Sequence, residues 1–467
     1  MHGNVIAAIS TPPGKGGVAV IRMSGNGAMD IAKKVFLPIS GKAIDSYSPR
    51  TQIYGYIIYN EEKIDDGMLT FFKAPASYTG EDTVEISCHG GLLVTRTVLE
   101  ALFKAGATPA EAGEFTQRAF INGKLSLSEA EAIGSLLEAT STEQIKLAAS
   151  PARAKLANEI DLIRKDITDI MSSIYARIDY PDEDLGDFTD EETLERLLNV
   201  NSMLGRLIDT YRTGRAINEG IKTVICGKPN VGKSTLYNLL LGEDAAIVTD
   251  IAGTTRDVLE HTIPVGRVIL KLSDTAGIRS AENMDAVEKI GIKKSRDHIS
   301  AAELILAVFD VSRPFDNYDL ELLEQISKAG GCKICILNKS DACDTDSYAK
   351  ITEQLSSYSF EDTISISAMR DEKDAIEKLS SLVNRLFTDE KISCGHDAIV
   401  SSARQHSSLI RARDFINTAI GAYRIGLPSD AASSDIELAL GAISEVDGRA
   451  VSDSVVSDIF AKFCVGK

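Results

Sequence analysis

The stretch Gly227-Lys228-Pro229-Asn230-Val231-Gly232-Lys233-Ser234 leaves this chain the fewest folds to choose from. It fits G-x-x-x-x-G-K-[ST], follows the apolar run Val224-Ile225-Cys226, and leads into the helical pattern Thr235–Leu241. A phosphate-cradling loop needs that strand–loop–helix context. Its glycines let backbone N–H groups close around phosphate oxygens at a helix N-terminus. Lys233 would neutralise charge on the β- and γ-phosphates, and the Ser234 hydroxyl would ligate Mg²⁺. The alternative for such a stretch alone is a chance glycine-rich turn.

Three further motifs follow in order, each at the end of an expected strand. Asp274-Thr275-Ala276-Gly277 follows Val268–Leu272 and offers an aspartate to the metal's surroundings and a glycine amide to the γ-phosphate. Asn338-Lys339-Ser340-Asp341 follows Ile334-Cys335-Ile336-Leu337 and resembles the guanine reader of small GTPases. A carboxylate there accepts from the N1–H and 2-amino group of guanine, which adenine cannot offer; a site built for those donors rejects a ligand lacking them. Ser367-Ala368, after Thr363–Ile366, resembles the last guanine contact. Together they predict a Ras-like P-loop α/β GTPase domain over about 217–387, with its ligand at the carboxyl ends of the strands.

At 467 residues the chain exceeds one ordinary core, so more than one domain is expected. An apolar content of 44% and a charged content of 25% are those of a soluble globular protein. No apolar run approaches the ~20 residues of a membrane span, and the start, Met1-His2-Gly3-Asn4-Val5, has no basic leader region. Seven scattered cysteines point to a reducing cytoplasm. Cys332-Lys333-Ile334-Cys335 opens an expected buried strand and reads as core rather than as a metal or redox pair. A formal net charge of −18 argues against generic nucleic-acid affinity, so any RNA contact must use local basic patches.

Taken in order, residues 1–122 read as a mixed α+β domain. Strands are expected at Val5–Ile9, Gly17–Arg22, Thr51–Tyr59, Asp66–Phe72 and Asp82–Cys88, and helices at Ala28–Phe36 and Leu92–Ala105. In Gly113-Glu114-Phe115-Thr116-Gln117-Arg118-Ala119-Phe120, Arg118 reads either as part of a site for an anionic aromatic ligand, with Lys124, or as a solvated charge at a helix end. From Ser128 to Thr213 the pattern is helical, broken near Pro181 and Gly186 by an acidic run that reads as a solvated loop or, less simply, a metal site. Helical periodicity returns over Ala398–Gly426 and Ser434–Ala442. The expected division is 1–122, a helical bundle in two parts (123–216 and 388–467), and the GTPase inserted between them at 217–387.

Thr11-Pro12-Pro13-Gly14, Tyr78-Thr79-Gly80-Glu81-Asp82, Gly113-Glu114-Phe115-Thr116 with Asn122-Gly123-Lys124, the central GTPase motifs and terminal Phe463-Cys464-Val465-Gly466-Lys467 together resemble the MnmE (TrmE) family of tRNA modification GTPases. The resemblance runs from end to end. It implies an N-terminal domain that dimerises and binds 5-formyl-tetrahydrofolate, through Arg22, Glu85, Lys124 and Lys467. It also implies a FAD-dependent partner of the MnmG (GidA) type, and tRNA as client, with an aminomethyl or carboxymethylaminomethyl group installed at carbon 5 of the wobble uridine. Cations suit the glutamate carboxylates of a folate, and Glu85 suits the pterin donor edge. Cys464 is read either as a nucleophile or acid/base beside Lys467, or as a buried cysteine of the closing helix.

The resemblance further implies a GTP-binding set of Asn230, Val231, Gly232, Lys233, Ser234, Thr235, Thr249, Thr255, Asp274, Thr275, Ala276, Gly277, Asn338, Lys339, Asp341, Ser367 and Ala368. Mg²⁺ falls to Ser234 and Thr255. K⁺ falls to Asn230, Thr249, Ile251 and Thr254, where a monovalent cation would offset transition-state charge as an arginine does; Asn230 could instead merely cap its turn. Ile278 stands where many GTPases place a water-orienting glutamine and cannot hydrogen-bond water. The family's glutamate falls on Glu288, with Glu282 and Asp285 as alternates, because this chain is longer than the family pattern between Arg279 and Val287. A ribosome-assembly GTPase is the competing reading; it needs an RNA-binding module such as a KH domain, and none is visible beside the GTPase. A folate-dependent one-carbon transferase regulated by GTP is a third.

Overall fold

The computed structural model describes residues 4–180, 188–242, 261–272, 299–461 and 463–466. They form two compact units, one of residues 1–137 with 441–467 and one of residues 138–440.

The first unit is built on a sheet of β1 (Ile6–Ile9), β2 (Gly16–Ser24), β3 (Phe36–Pro38), β4 (Gln52–Tyr59), β5 (Glu62–Phe72), β6 (Thr83–Gly90) and β7 (Thr108–Pro109), in the order β3-β4-β5-β6-β2-β1-β7. Alternation along the strands sends Ile21, Met23, Ile57, Leu69, Val84 and Ile86 to one face, where α1 (Ala28–Val35) and α2 (Leu92–Ala105) cover them with Ile31, Ala32, Val35, Val98, Ala101 and Leu102. Arg22 and Glu85 lie directly opposite each other in the β2–β6 register, on the other face. α3 (Glu114–Ile121) and α4 (Leu127–Glu138) follow. The strands and helices expected from periodicity are all present.

Arg118 is neither solvated nor free for a ligand. It is 2% exposed and donates to Asn4 O (3.1 Å), to Glu81 Oε2 (3.1 Å) and to Glu114 Oε1 (2.8 Å). A charge so far out of water persists because each of its three nitrogens has an oxygen to meet.

The second unit begins with α5 (Thr142–Ala148), α6 (Ser150–Asp179) and α7 (Asp190–Asn218). Ser141 and Gln144 form a capping box that starts α5, and Thr189 and Glu192 form another that starts α7. The chain then builds a sheet from β8 (Ile221–Cys226), β9 (His261–Val265), β10 (Val268–Leu272), β11 (Leu304–Asp310), β12 (Cys332–Asn338) and β13 (Asp362–Ser365), with α8 (Lys233–Leu241), α9 (Asn317–Ser327), α10 (Thr345–Leu355) and α11 (Glu372–Phe387). Sheet order is β13-β12-β11-β8-β10-β9, parallel except for the β9–β10 hairpin.

Every residue of β11 is buried, as a central strand covered on both faces requires. Leu304, Leu306 and Val308 face α8 and α11, while Ile305, Ala307 and Phe309 face α9 and α10. Cys332 and Cys335 likewise belong to opposite faces, so they pack as core and cannot clasp one ion together. After α11 the chain returns along α7. Asp389 N donates to Thr213 Oγ1 (3.0 Å) and Val400 N to Thr210 Oγ1 (3.0 Å). α12 (Ala403–Arg424) then packs on α7, the Tyr211 and His406 rings stacking at 3.9 Å. α13 (Ser429–Val446) and α14 (Asp453–Phe460) complete the chain.

Candidate nucleotide site

Parallel strands place the ends of β8, β11 and β12 at one edge of the sheet, and the loops that leave those ends converge. The loop from β8 to α8 carries Gly227 to Ser234. Gly232 precedes α8 with φ 103°, and a Cβ there would lie 2.1 Å from Asn338 Nδ2, so only glycine fits. Asn230 takes a left-handed φ of 63°. Val231 is buried beneath the loop, whereas Ser234 and Thr235, in the first turn of α8, are exposed to a ligand. Lys233 Nζ donates to Gly227 O (2.9 Å) and Lys228 O (2.6 Å). Burial pushes the Lys233 pKa down, with a smaller opposing effect of Cys226.

Asn338, the last residue of β12, is 3% exposed and fastens three segments. Its Nδ2 donates to Val231 O (2.8 Å) and its Oδ1 accepts from Ala368 N (3.1 Å). Lys339 has a left-handed φ of 62°, and its Nζ donates to Asn230 O (2.9 Å) and pairs with Asp310 Oδ2 (2.6 Å). Asp341 accepts from Ser367 Oγ (2.6 Å) and pairs with Arg370 Nε (2.9 Å). The Ser367 hydrogen bond, aided by Arg370, holds the Asp341 carboxyl below its ordinary pKa, so it stands ionised, as an acceptor for two N–H donors must.

The structure thus brings together Asn230, Val231, Gly232, Lys233, Ser234, Thr235, Asn338, Lys339, Asp341, Ser367 and Ala368. Thr249, Ile251, Thr254, Thr255, Asp274, Thr275, Ala276, Gly277, Glu288, its alternates Glu282 and Asp285, the acidic run at 182–187 and Lys467 lie outside the described residues. Asp310 went unread in the sequence; the signal available was an aspartate closing an otherwise apolar strand.

In the first unit, Arg22 donates from Nε to Glu85 Oε1 (2.9 Å), and its guanidinium carbon lies 5.3 Å from the Tyr78 ring centroid and 5.8 Å from that of Phe115. Tyr78 and Thr116 hydroxyls share a hydrogen bond of 3.0 Å. Lys124 Nζ donates to Pro75 O (3.1 Å). Cys464 is exposed and lies beyond α14, not within it. A bridge between Ala112 and Val465, and the Ser10 hydroxyl donating to Gly466 O (3.1 Å), tie the terminal segment down. Asp65, Asp66 and His89 also bring ligand-capable atoms within 4.8 Å of one another, but His89 Nδ1 and Asp65 Oδ1 already pair at 2.7 Å.

Fold and site define a P-loop α/β GTPase-type domain accompanied by helices and by a separate α+β unit. The match to known proteins is more particular. Residues 5–124 match the model of the family described as GTP-binding protein TrmE N-terminus, and residues 127–464 match that of the MnmE helical domain. Two proteins described as tRNA modification GTPase MnmE align along nearly the whole chain. That of Clostridioides difficile (strain 630) is 38% identical, over 99% of this chain and 99% of its own. That of Thermotoga maritima is 39% identical, over 99% of this chain and all of its own. The chain belongs to the MnmE family. A solved structure of Era in complex with MgGDPNP and 16S ribosomal RNA aligns at 23% identity over 42% of this chain, with a TM-score of 0.28, too low to carry an argument.

Proposed function

We propose that this chain hydrolyses GTP in the modification of tRNA wobble uridine at carbon 5, working as a homodimer in the cytoplasm with a FAD protein of the MnmG type. The observation that carries the nucleotide part is Asn338, whose one amide ties the phosphate loop to both base-reading segments. That tie sets the distance between a phosphate cradle and a base pocket, which a whole nucleotide must span. No helix among the described residues is long and apolar enough to cross a membrane.

In this reading the GTPase occupies 217–387, inserted between helical segments 123–216 and 388–467, with 1–122 as the dimerising domain. The amides from Asn230 to Thr235 meet the phosphates, Lys233 leaves its two carbonyls to neutralise them, and Asp341 reads the base with Ser367 and Ala368 beside it. The exposed Ser234 hydroxyl, with Thr255, would hold Mg²⁺, which would neutralise phosphate charge there. Asn230, Thr249, Ile251 and Thr254 would hold K⁺, whose charge does the work of an arginine finger. Glu288, or Glu282 or Asp285, orients the attacking water. Arg22, pinned by Glu85 between two aromatic rings, has the donor set for an anionic aromatic ligand such as 5-formyl-tetrahydrofolate, with Lys124 and Lys467 as further cations. Cys464, which is exposed, would act as nucleophile or acid/base.

Digestion of tRNA from a strain lacking this protein, with and without the gene restored, tests the client by mass spectrometry. The carbon-5 modification should vanish and return only with the intact gene; an unchanged wobble uridine refutes the client and leaves the nucleotide site standing. Hydrolysis should be faster in K⁺ than in Na⁺, and equal rates remove the K⁺ assignment. Asp341→Asn, which turns an acceptor towards the base into a donor, should weaken GDP and favour xanthosine diphosphate, whose 2-carbonyl accepts.

A further inference from the structure

Lys339 and Asn230 are two of the few non-glycine residues held at left-handed φ, at 62° and 63°. A side chain at such φ persists only where its surroundings over-determine it. One bond joins the two, from Lys339 Nζ to Asn230 O at 2.9 Å. The same ammonium meets Asp310 Oδ2 at 2.6 Å. Asp310 ends β11, directly opposite Asn338 in the β11–β12 register, and is 7% exposed. Its other oxygen is engaged too, accepting from Ser312 N (3.0 Å) and Ser312 Oγ (2.6 Å). Burial pushes this carboxyl's pKa up, but the bonds from Lys339 and Ser312 outweigh it and hold it below the ordinary aspartate value. The carboxylate is therefore ionised, fixed by Ser312, and aimed at Lys339.

We propose that Asp310 is a positioning residue of the guanine-nucleotide site: it pins the Lys339 ammonium on the Asn230 carbonyl and so locks the base-reading turn to the phosphate loop. The inference rests on the nucleotide reading above and deepens it. Both Asp310 oxygens are taken up by Ser312 and Lys339. Asp310 acts through Lys339, whose flexible stem leaves the ammonium many positions once the counter-charge is gone. A ligand that spans both ends of the site gains from a lock between them, because the spacing is set before it binds. A ligand that meets only one end gains little.

The test is binding of fluorescent GDP to the full chain, with pyrophosphate as a competitor that meets the phosphate loop alone. Asp310→Asn keeps shape and the Ser312 contacts but loses the charge. It should raise the GDP Kd about tenfold, the scale of one charge-assisted hydrogen bond, and leave the pyrophosphate constant within about twofold. Asp310→Glu, which keeps the charge, should recover part of the loss. Lys339→Met should raise the GDP Kd at least as much, and the double variant should be no weaker than Lys339→Met alone. Additive losses, or equal losses for GDP and pyrophosphate, overturn the proposal, since a residue that merely supports the fold gives both. Should Asp310→Asn fail to fold by circular dichroism, Asp310→Glu and Lys339→Met still decide: unchanged GDP affinity in Lys339→Met overturns it. Wild-type protein that binds no GDP refutes the nucleotide reading itself, a separate result.

Discussion

Asn338→Ala tests whether the phosphate loop and the base reader are one structure before any ligand arrives. The side chain makes two hydrogen bonds while itself almost wholly buried. Truncation leaves the Val231 carbonyl and the Ala368 N–H without partners, and each such group costs about 1–3 kcal/mol. Loss of both should lower the local opening free energy by about 2–6 kcal/mol. Taking the lower bound, amides of the phosphate loop should exchange with deuterium roughly thirtyfold faster. The assay is hydrogen exchange by mass spectrometry on the nucleotide-free full chain, read on peptides covering 227–234 and 366–371. Asn338→Asp separates the two bonds: it keeps an acceptor for Ala368 N but sets a carboxylate against Val231 O. Its phosphate loop should lose protection while the 366–371 peptide keeps it. Unchanged exchange in both peptides of Asn338→Ala would refute the argument that this amide joins the segments in the free protein.

Other consequences follow from particular contacts. A Cβ on Gly214 would lie 2.1 Å from Val400 O and 2.8 Å from Ile399 Cγ2, so Gly214→Ala should cost about 1–3 kcal/mol in denaturant unfolding; wild-type stability would show that the return segment does not lie against α7. Arg118→Met removes the cation shared by Glu81 and Glu114 and should cost about 3–5 kcal/mol, measured the same way, with a loss below 1 kcal/mol as the contrary result. The hydrogen bond that His89 Nδ1 donates to Asp65 raises the His89 pKa above its ordinary value. A group whose folded pKa is raised stabilises fully below its unfolded pKa, about 6.5, and the contribution fades as pH rises through the folded value. The stability difference between wild type and His89→Gln should therefore shrink above about pH 6.5; a difference independent of pH would contradict the pairing.

The sequence carried what is local. Alternation along β2, β4 and β6 and the apolar run of β12 announce strands because a strand's burial is written in its own few residues. The glycine spacing before α8 is likewise local, since Gly232 must turn there whatever surrounds it. The break before α5 was legible and overlooked: Ser141 and Gln144 have the spacing of a capping box. Arg118 misled because its partners, Glu81 and Asn4, are distant in sequence, and nothing at position 118 tells a buried hub from a solvated charge. The docking of residues 388–400 on α7 through Thr210 and Thr213 was invisible for the same reason. Cys464 lies exposed beyond α14 in a segment tied down by the bridge at Val465, a tertiary fact with no local sign.

The candidate site has the same division, and this bears on how it forms. Its loop shapes are strained, with Asn230 and Lys339 at left-handed φ and no room for a Cβ on Gly232. The groups that hold those shapes are Asn338, Lys339 and Asp310, and the bonds from β12 to the phosphate loop span 107 and 109 residues. Neither loop can hold itself in place. β11 lies between β8 and β12, so the phosphate loop and the base reader meet only after this central strand has paired on both sides. Loosening β11 should therefore disturb the site before it unfolds the flanking helices. Ala307, buried on the face towards α9 and α10, is the place to try it. Ala307→Gly removes only a methyl group and weakens strand preference by less than about 1 kcal/mol. Its effect on exchange at 227–234 should exceed its effect on α12; equal effects would mean that the site does not depend on this strand in particular.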